Sequence, residues 1–327
     1  MHLFFKKLKK ANSKMTISER SNPLISIVTP SFNQGRFIRE TIQSVLSQSY
    51  PHIDYWVMDG GSSDNTCEIL MSFEGDSRFH WISEKDDGQS DAINKGILRC
   101  RGEIFSWLNS DDVLLPDTLQ RIASKWSTSG PCVIYGLARY IDQNGNDLGR
   151  CDTQSPIMTR SKLLRFGDHP KQPATFASLE HIRAVGGVDT SLHFSMDIDL
   201  WIKLAQHLPI HHINRDVALY RLHPDSKTVS AALGFSKDAQ RILDRAVEQG
   251  LISVQQSKVT HNLFTARLLM SPEVGQFDKA ITKLKEAIQT DKRSLPIATA
   301  IFLRYVTRKF VGESIWSVVR NVKSRVA

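Results

Sequence analysis

Twice in this chain an apolar run stops abruptly in small and polar residues, first at Ser26-Ile-Val-Thr-Pro-Ser-Phe-Asn33 and again at Trp107-Leu-Asn-Ser-Asp-Asp112. Buried strands that end this way are how an open α/β sheet presents a ligand at its carboxyl edge. From Leu24 to about Asp225, strand-like and helix-like patterns alternate, which argues for a mostly parallel, Rossmann-like sheet flanked by helices. A nucleotide site is expected along the strand ends.

Each α/β unit supplies one loop to that edge. Leu24 to Val28 reads as a strand and Thr29 to Gly35 as a turn. Arg36 to Gln48 then reads as a helix with Phe37, Ile38, Ile42, Val45 and Leu46 on one face. A second strand, Tyr55 to Met58, ends in Asp59-Gly-Gly-Ser-Ser-Asp64, where Ser62, Ser63 or Asp64 can cap a helix from about Asn65. An Asp at a strand end suits a ribose or base better than a phosphate. The glycines form no G-x-G-x-x-G, which disfavours a dinucleotide cofactor.

The next two loops are acidic. In Glu84-Lys-Asp-Asp-Gly-Gln-Ser-Asp-Ala-Ile-Asn-Lys-Gly96, Asp86, Asp87 and Asp91 can bind a base or a metal, or charge-stabilise the start of a helix carrying Ile93, Ile97 and Leu98. Ile104 to Leu108 is a further strand, ended by Asn109-Ser-Asp111-Asp112 before Pro116 opens the next helix. Adjacent carboxylates repel one another without a counter-cation. Magnesium binds through one or two carboxylates plus substrate phosphates, which this cluster can supply.

These loops together carry a resemblance. Thr29-Pro-Ser-Phe-Asn33, Asp59-Gly-Gly-Ser-Ser-Asp64, Asp91-Ala-Ile-Asn-Lys-Gly96 and Leu108-Asn-Ser-Asp-Asp112 resemble the successive donor-site motifs of family 2 glycosyltransferases, which have the GT-A fold. The likeness continues through Gly186-Gly-Val-Asp189 and Ser195-Met-Asp-Ile-Asp-Leu-Trp201 to Tyr220-Arg-Leu-His-Pro-Asp-Ser-Lys227. An ordered set is more specific than any one motif. It implies inverting transfer of a sugar from a nucleotide diphosphate donor, uridine-type, to an acceptor hydroxyl.

By that resemblance Thr29, Pro30, Ser31 and Asn33 line the nucleotide, Asp59 contacts base or ribose, and Asp86 or Asp87 with Asp91 shapes the base pocket. Asp111 takes the metal position for Mg²⁺ or Mn²⁺, with Asn109 in place of the first Asp of the D-x-D motif and Asp112 as its possible compensation. Asn can hydrogen-bond a ribose hydroxyl but brings no charge. His223 matches a metal or diphosphate position, and Gln172 and Thr175 fall in an acceptor-side segment. Asp197 matches the general base, a role worth typically about 10²- to 10⁴-fold in rate. Asp199 is read as a capping or structural group.

Two other functions fit parts of this pattern. A nucleotidyltransferase also needs a nucleotide loop and paired carboxylates, but Thr29 to Gly35 lacks the Gly density and the Lys of a phosphate loop. A catalytically silent nucleotide-sugar- or carbohydrate-binding protein on the same fold stays open because of Asn109, while Asp111, Asp197 and His223 together argue against it.

Outside the α/β region, residues 1–22 form a basic leader and residues 226–327 a helical region, with helices at Lys237 to Gln249, Val254 to Met270 and Val274 to Gln289. The net charge of +8 gathers at the ends, in Lys6, Lys7, Lys9, Lys10 and Lys14 and again from Arg304 to Arg325. Leu3, Phe4 and Leu8, and Ile301, Tyr305, Phe310, Trp316 and Val319, recur at helical spacing beside these charges. Such ends either lie on an anionic membrane surface or are a solvated tail and a packed helix. No run reaches the roughly 18 apolar residues of a membrane span, and no nucleic-acid motif accompanies the charge. Four cysteines without a C-x-x-C pair fit a reducing cytoplasm, so the expected place is cytoplasmic and peripheral on the inner membrane face, with a glycan or lipid-linked acceptor.

Overall fold

The computed structural model describes residues 22–151, 156–166, 169–227, 233–271 and 274–306. The chain divides after Ser226 into two units. At the centre of the first lies β1 (Ile25–Ser31), buried along its whole length. β2 (Ile53–Asp59) and β4 (Ile104–Trp107) flank it, both parallel, and β3 (Phe79–Ser83) lies parallel outside β2. Strands covered on both faces need near-continuous apolar runs, which is what Ile25, Ile27, Val28 and Ile104 to Trp107 provide. Register puts Ser31 beside Asp59 and Asp59 beside Ser83, so three carboxyl ends meet at one edge.

Beyond β4 the sheet turns mixed. β5 (Val113–Leu114), β6 (Val133–Ile141), β7 (Asp147–Arg150), β8 (Thr175–Ser178) and β9 (Ile210–Arg221) complete the order β3-β2-β1-β4-β8-β6-β9-β5, with β7 paired to β6. β8 runs antiparallel to β4 and β6, while β9 runs parallel to β6 and antiparallel to β5. Both long partners of this half therefore deliver their ends to the loop that follows β4.

Helices α1 (Ile38–Leu46), α2 (Thr66–Met71), α3 (Gln89–Arg99), α4 (Thr118–Ser129), α5 (Arg160–Leu163), α6 (Leu179–Ala184) and α7 (Met196–Leu204) join the strands. A Cβ on Gly96 of α3 would lie 2.6 Å from a methyl of Val28, so this helix sits directly on β1. Three local expectations change. The segment Thr29 to Ser31 continues β1 rather than turning, because β4 stops pairing at Val28 and leaves that side open, where a proline costs no ladder bond. Leu98 is 77% exposed, since the buried face of α3 is made by Ala92, Ile93, Gly96 and Ile97. Pro116 does not open α4, which starts after a left-handed Asp117 (φ 61°).

The second unit holds α8 (Gly234–Glu248), α9 (Val254–Leu269) and α10 (Phe277–Thr290). A capping box between Ser253 and Gln256 starts α9 by satisfying two otherwise orphaned backbone donors. Leu263, Ala266, Leu269, Leu284, Ala287 and Ile301 form its core. Tyr305 stacks on Phe277 with ring centres 4.7 Å apart. Ile301 and Tyr305 thus pack within this unit, whereas the leader up to Ser21 and the apolar positions Phe310, Trp316 and Val319 lie outside the described residues. No helix among the described residues is long and apolar enough to cross a membrane.

Candidate active site

The nucleotide edge is built by interlocking the loops after β1 and β2. Asn33, held at φ 52°, donates its N–H to Ser62 Oγ at 2.7 Å and accepts from Ser63 N–H at 2.8 Å. Asp64 accepts from the N–H groups of Gly35 and Thr66, at 2.9 and 3.0 Å, and so caps the start of α2 while clasping the neighbouring loop. Asp59 is buried, and its two oxygens accept from the N–H groups of Gly61 and Ser62 and from the hydroxyls of Ser62 and Ser83. It shapes its own loop. Asp86 accepts from Gly88 N–H at 2.8 Å and lies against Gly60, where a Cβ would come 2.7 Å from its Oδ2.

Ser31 and Thr29 separate in role. Ser31 is 5% exposed, and its hydroxyl has no hydrogen-bond partner among the described residues. A buried, unsatisfied hydroxyl at the carboxyl end of the central strand is costly unless a ligand completes it. Thr29 instead shares a buried hydrogen bond of 2.9 Å with Tyr55 OH, so its hydroxyl is already engaged inside the sheet. Pro30 is buried beside it. Asp87 is exposed, while Asp91 accepts from Asp87 N–H and pairs with Lys95 at 3.2 Å; that N–H first and the ammonium after it hold the Asp91 carboxyl below its usual range.

The loop after β4 sorts its three polar side chains. Asp111 Oδ2 lies 3.0 Å from His223 Nε2, at the end of β9. Asn109 accepts from Gln89 Nε2 at 2.8 Å and donates to Asp112 Oδ2 at 3.1 Å. Asp112 is 1% exposed and accepts the Arg221 N–H at 3.0 Å. Burial, and then the charge of Asp111, push its carboxyl well above the usual range. Asp112 therefore faces inward, with its oxygens engaged by Arg221 and Asn109 and its charge disfavoured by burial. Among the described residues no three His, Cys, Asp or Glu side chains converge as a protein-only cation cage requires. The pair Asp111 and His223 does fit a cation shared with diphosphate oxygens, which needs only one or two protein donors.

Trp107, at the end of β4, joins the segment Gln172 to Thr175 to α7. Its ring stacks on Trp201 of α7, with centres 5.6 Å apart and planes 18° apart, and its carbonyl accepts from Gln172 Nε2 at 2.5 Å. Gln172 Oε1 is buried with no partner among the described residues, and Thr175 donates to the carbonyl of Lys171. Asp197 lies one helical turn before Trp201, on the same face of α7. It is half-buried among crowded protein atoms, and that burial raises its carboxyl from 3.8 to about 6 against the opposing pull of the Ile198 N–H and the Lys171 charge. Asp199 turns away and pairs with Lys203 at 2.7 Å. Arg221, Gln89 and Trp107 carry much of this geometry without having been singled out by the sequence. A lone Arg or Gln in a polar loop gives no pattern to read.

The comparisons agree with the fold. The profile described as Glycosyl transferase family 2 matches residues 26–180, from β1 to the start of α6. An uncharacterized glycosyltransferase of Rickettsia prowazekii is 30% identical, over 64% of this chain and 67% of its own length. Chondroitin synthase of Escherichia coli is also 30% identical, over 63% of this chain but only 30% of its own length. The S. aureus TarS 1–349 structure in complex with UDP-GlcNAc superposes with a TM-score of 0.61 at 16% identity, covering 82% of this chain and 81% of that one. The mannosyltransferase PcManGT from Pyrobaculum calidifontis, in complex with GDP-Man and Mn²⁺, gives 0.58 at 16% identity, covering 97% and 90%. The chain belongs to glycosyltransferase family 2, on a GT-A fold. It spans half or less of several relatives' lengths, 48% for an uncharacterized glycosyltransferase of Rickettsia felis. Asp197 and His223 lie beyond the matched profile.

Proposed function

We propose that this chain transfers a sugar, with inversion, from a nucleotide diphosphate sugar to a hydroxyl of a glycan or lipid-linked acceptor in the synthesis of a cell-surface polysaccharide or glycolipid. The observation that carries the reading is the Asp111–His223 pair at the strand ends, with the raised Asp197 carboxyl standing one helical turn from the Trp201–Trp107 stack. Asp197 takes the proton of the acceptor hydroxyl as its oxygen forms a bond to the anomeric carbon. The bond from that carbon to the diphosphate oxygen breaks on the opposite face, and its electron pair leaves with the nucleoside diphosphate. Asp111 and His223 would hold a divalent cation, Mg²⁺ or Mn²⁺, which supplies charge to stabilise the leaving diphosphate. Ser31 offers the nucleotide a hydroxyl, and Gln172 an amide oxygen to the acceptor.

Chondroitin synthase among the relatives supports a polysaccharide product, and UDP-GlcNAc in TarS supports a uridine-type donor. The basic leader supports a cytoplasmic enzyme resting on the inner membrane face. The test is incubation of the protein with a panel of nucleotide sugars, acceptor glycans and Mn²⁺. Release of nucleoside diphosphate and a product of inverted anomeric configuration are expected, and both should be lost in Asp111→Ala. Release of pyrophosphate would mark a nucleotidyltransferase; donor binding without turnover would mark a silent binder.

A further inference from the structure

Arg221 holds both aspartates of the loop after β4, one by its carbonyl and one by its carboxylate, without belonging to the expected ligand set. It is 2% exposed. Its backbone N–H donates to Asp112 Oδ1 at 3.0 Å, its Nε to the Asp111 carbonyl at 2.8 Å, and its Nη1 to the Asp142 carbonyl at 3.3 Å. Its Nη2 pairs with Glu40 Oε2 at 2.6 Å, in the first turn of α1. The guanidinium carbon lies 5.0 Å from the centre of the Phe37 ring, and that ring lies 5.0 Å from the ring of His223.

These contacts have one direction. An Arg at the end of a strand beside solvent costs nothing to leave in water; this one is drawn inward onto the residue that forms half of the cation pair. A guanidinium offers a rigid fork that an ammonium cannot reproduce. Glu40 keeps its side chain 54% exposed, so an ion pair made there adds little to folding. What the pair does is fix the guanidinium between α1, which follows the nucleotide loop, and the segment Asp111 to Asp112.

We propose that Arg221 is a positioning residue for Asp111 and His223, and that Glu40 holds it in that role, linking the nucleotide loop to the cation pair. The proposal rests on the reading of Asp111 and His223 as cation ligands. Side chains that orient ligands typically change metal affinity by about 10- to 100-fold when replaced.

The experiment is calorimetric titration of Mn²⁺ into wild type, Arg221→Lys and Glu40→Gln, each saturated with UDP or GDP, beside a thermal melt. Arg221→Lys should lose about 10- to 100-fold in Mn²⁺ affinity and Glu40→Gln about 10-fold. The Glu40→Gln melting temperature should stay at the wild-type value, a separation that a purely structural role would not give. Wild-type Mn²⁺ affinity in Glu40→Gln overturns the proposal, and this variant decides the matter should Arg221→Lys fail to fold. A wild-type protein that takes up no Mn²⁺ with either nucleotide overturns the cation-pair reading and carries the proposal down with it, a result recognised by the failure lying in the wild type itself.

Discussion

At Asp197 stability and chemistry pull in opposite directions. Its carboxyl is raised from 3.8 to about 6, so the folded protein binds a proton more tightly than the unfolded chain does. The sign follows from linkage: below about pH 3.8 both states are protonated and the group is neutral toward stability, the penalty builds between 3.8 and 6, and above 6 it is fully present. A displacement of that size is worth at most about 3 kcal/mol, and the solvent the side chain keeps trims the expected value to about 1–2 kcal/mol. Asp197→Asn should therefore raise the unfolding free energy at pH 8 and leave it unchanged near pH 3.5, as read by urea denaturation at the two pH values. The same variant should lose about 10²- to 10⁴-fold in transfer while donor binding by calorimetry persists. For the wild type, kcat/KM should climb as pH rises through about 6 and then level off. Retained turnover in Asp197→Asn would remove it as the base.

Elements were legible where burial enforces a period and illegible where small polar residues serve two purposes. Ile25, Ile27, Val28 and the run from Ile104 to Trp107 announce buried parallel strands, and Phe37, Ile38, Ile42 and Val45 announce one face of α1. Thr29, Pro30 and Ser31 look like a turn because their types favour one, yet they extend β1, since only the neighbour's length decides whether pairing continues. The candidate site divides likewise. Asn33, Asp111 and Asp197 stand in recognisable strings, but nothing in a string tells that Asp112 turns inward or that Arg221 staples it from a segment so far along the chain. Close approach of elements is equally silent in sequence. Gly96 looks like a helix-weakening glycine, whereas a Cβ there would meet both Val28 methyls at 2.6 and 2.7 Å. Gly96→Ala should destabilise by about 1–3 kcal/mol despite the better helix propensity of Ala. Adding Val28→Ala should recover part of that loss, and strict additivity of the two changes in a denaturation cycle would refute direct packing of α3 on β1.

For the molecule as a whole, the densest positive charge and the candidate site fall on different stretches of the sequence. Every candidate ligand and catalytic side chain falls between Thr29 and His223, in the first unit, while the first fourteen residues hold five lysines and no acidic residue out of a net charge of +8. A segment of that composition adds nothing to a nucleotide site, but each basic side chain near an anionic bilayer is worth about 1 kcal/mol, or about 5 kcal/mol for the five together. Leu3, Phe4 and Leu8 would add a small apolar share. The electrostatic share must fade with salt, since the screening length falls from about 8 Å at physiological ionic strength to about 3 Å at 1 M. The full chain should therefore sediment with vesicles rich in anionic lipid, not with neutral ones, and release as salt rises. Removing residues 1–14 should weaken that binding by a hundredfold or more, of the order the lysine energies imply, and flatten its salt dependence. Transfer to a soluble acceptor should be untouched, because no candidate site residue falls within residues 1–14. Equal sedimentation of the shortened and full chains would take the leader out of membrane binding and leave a soluble acceptor as the better expectation.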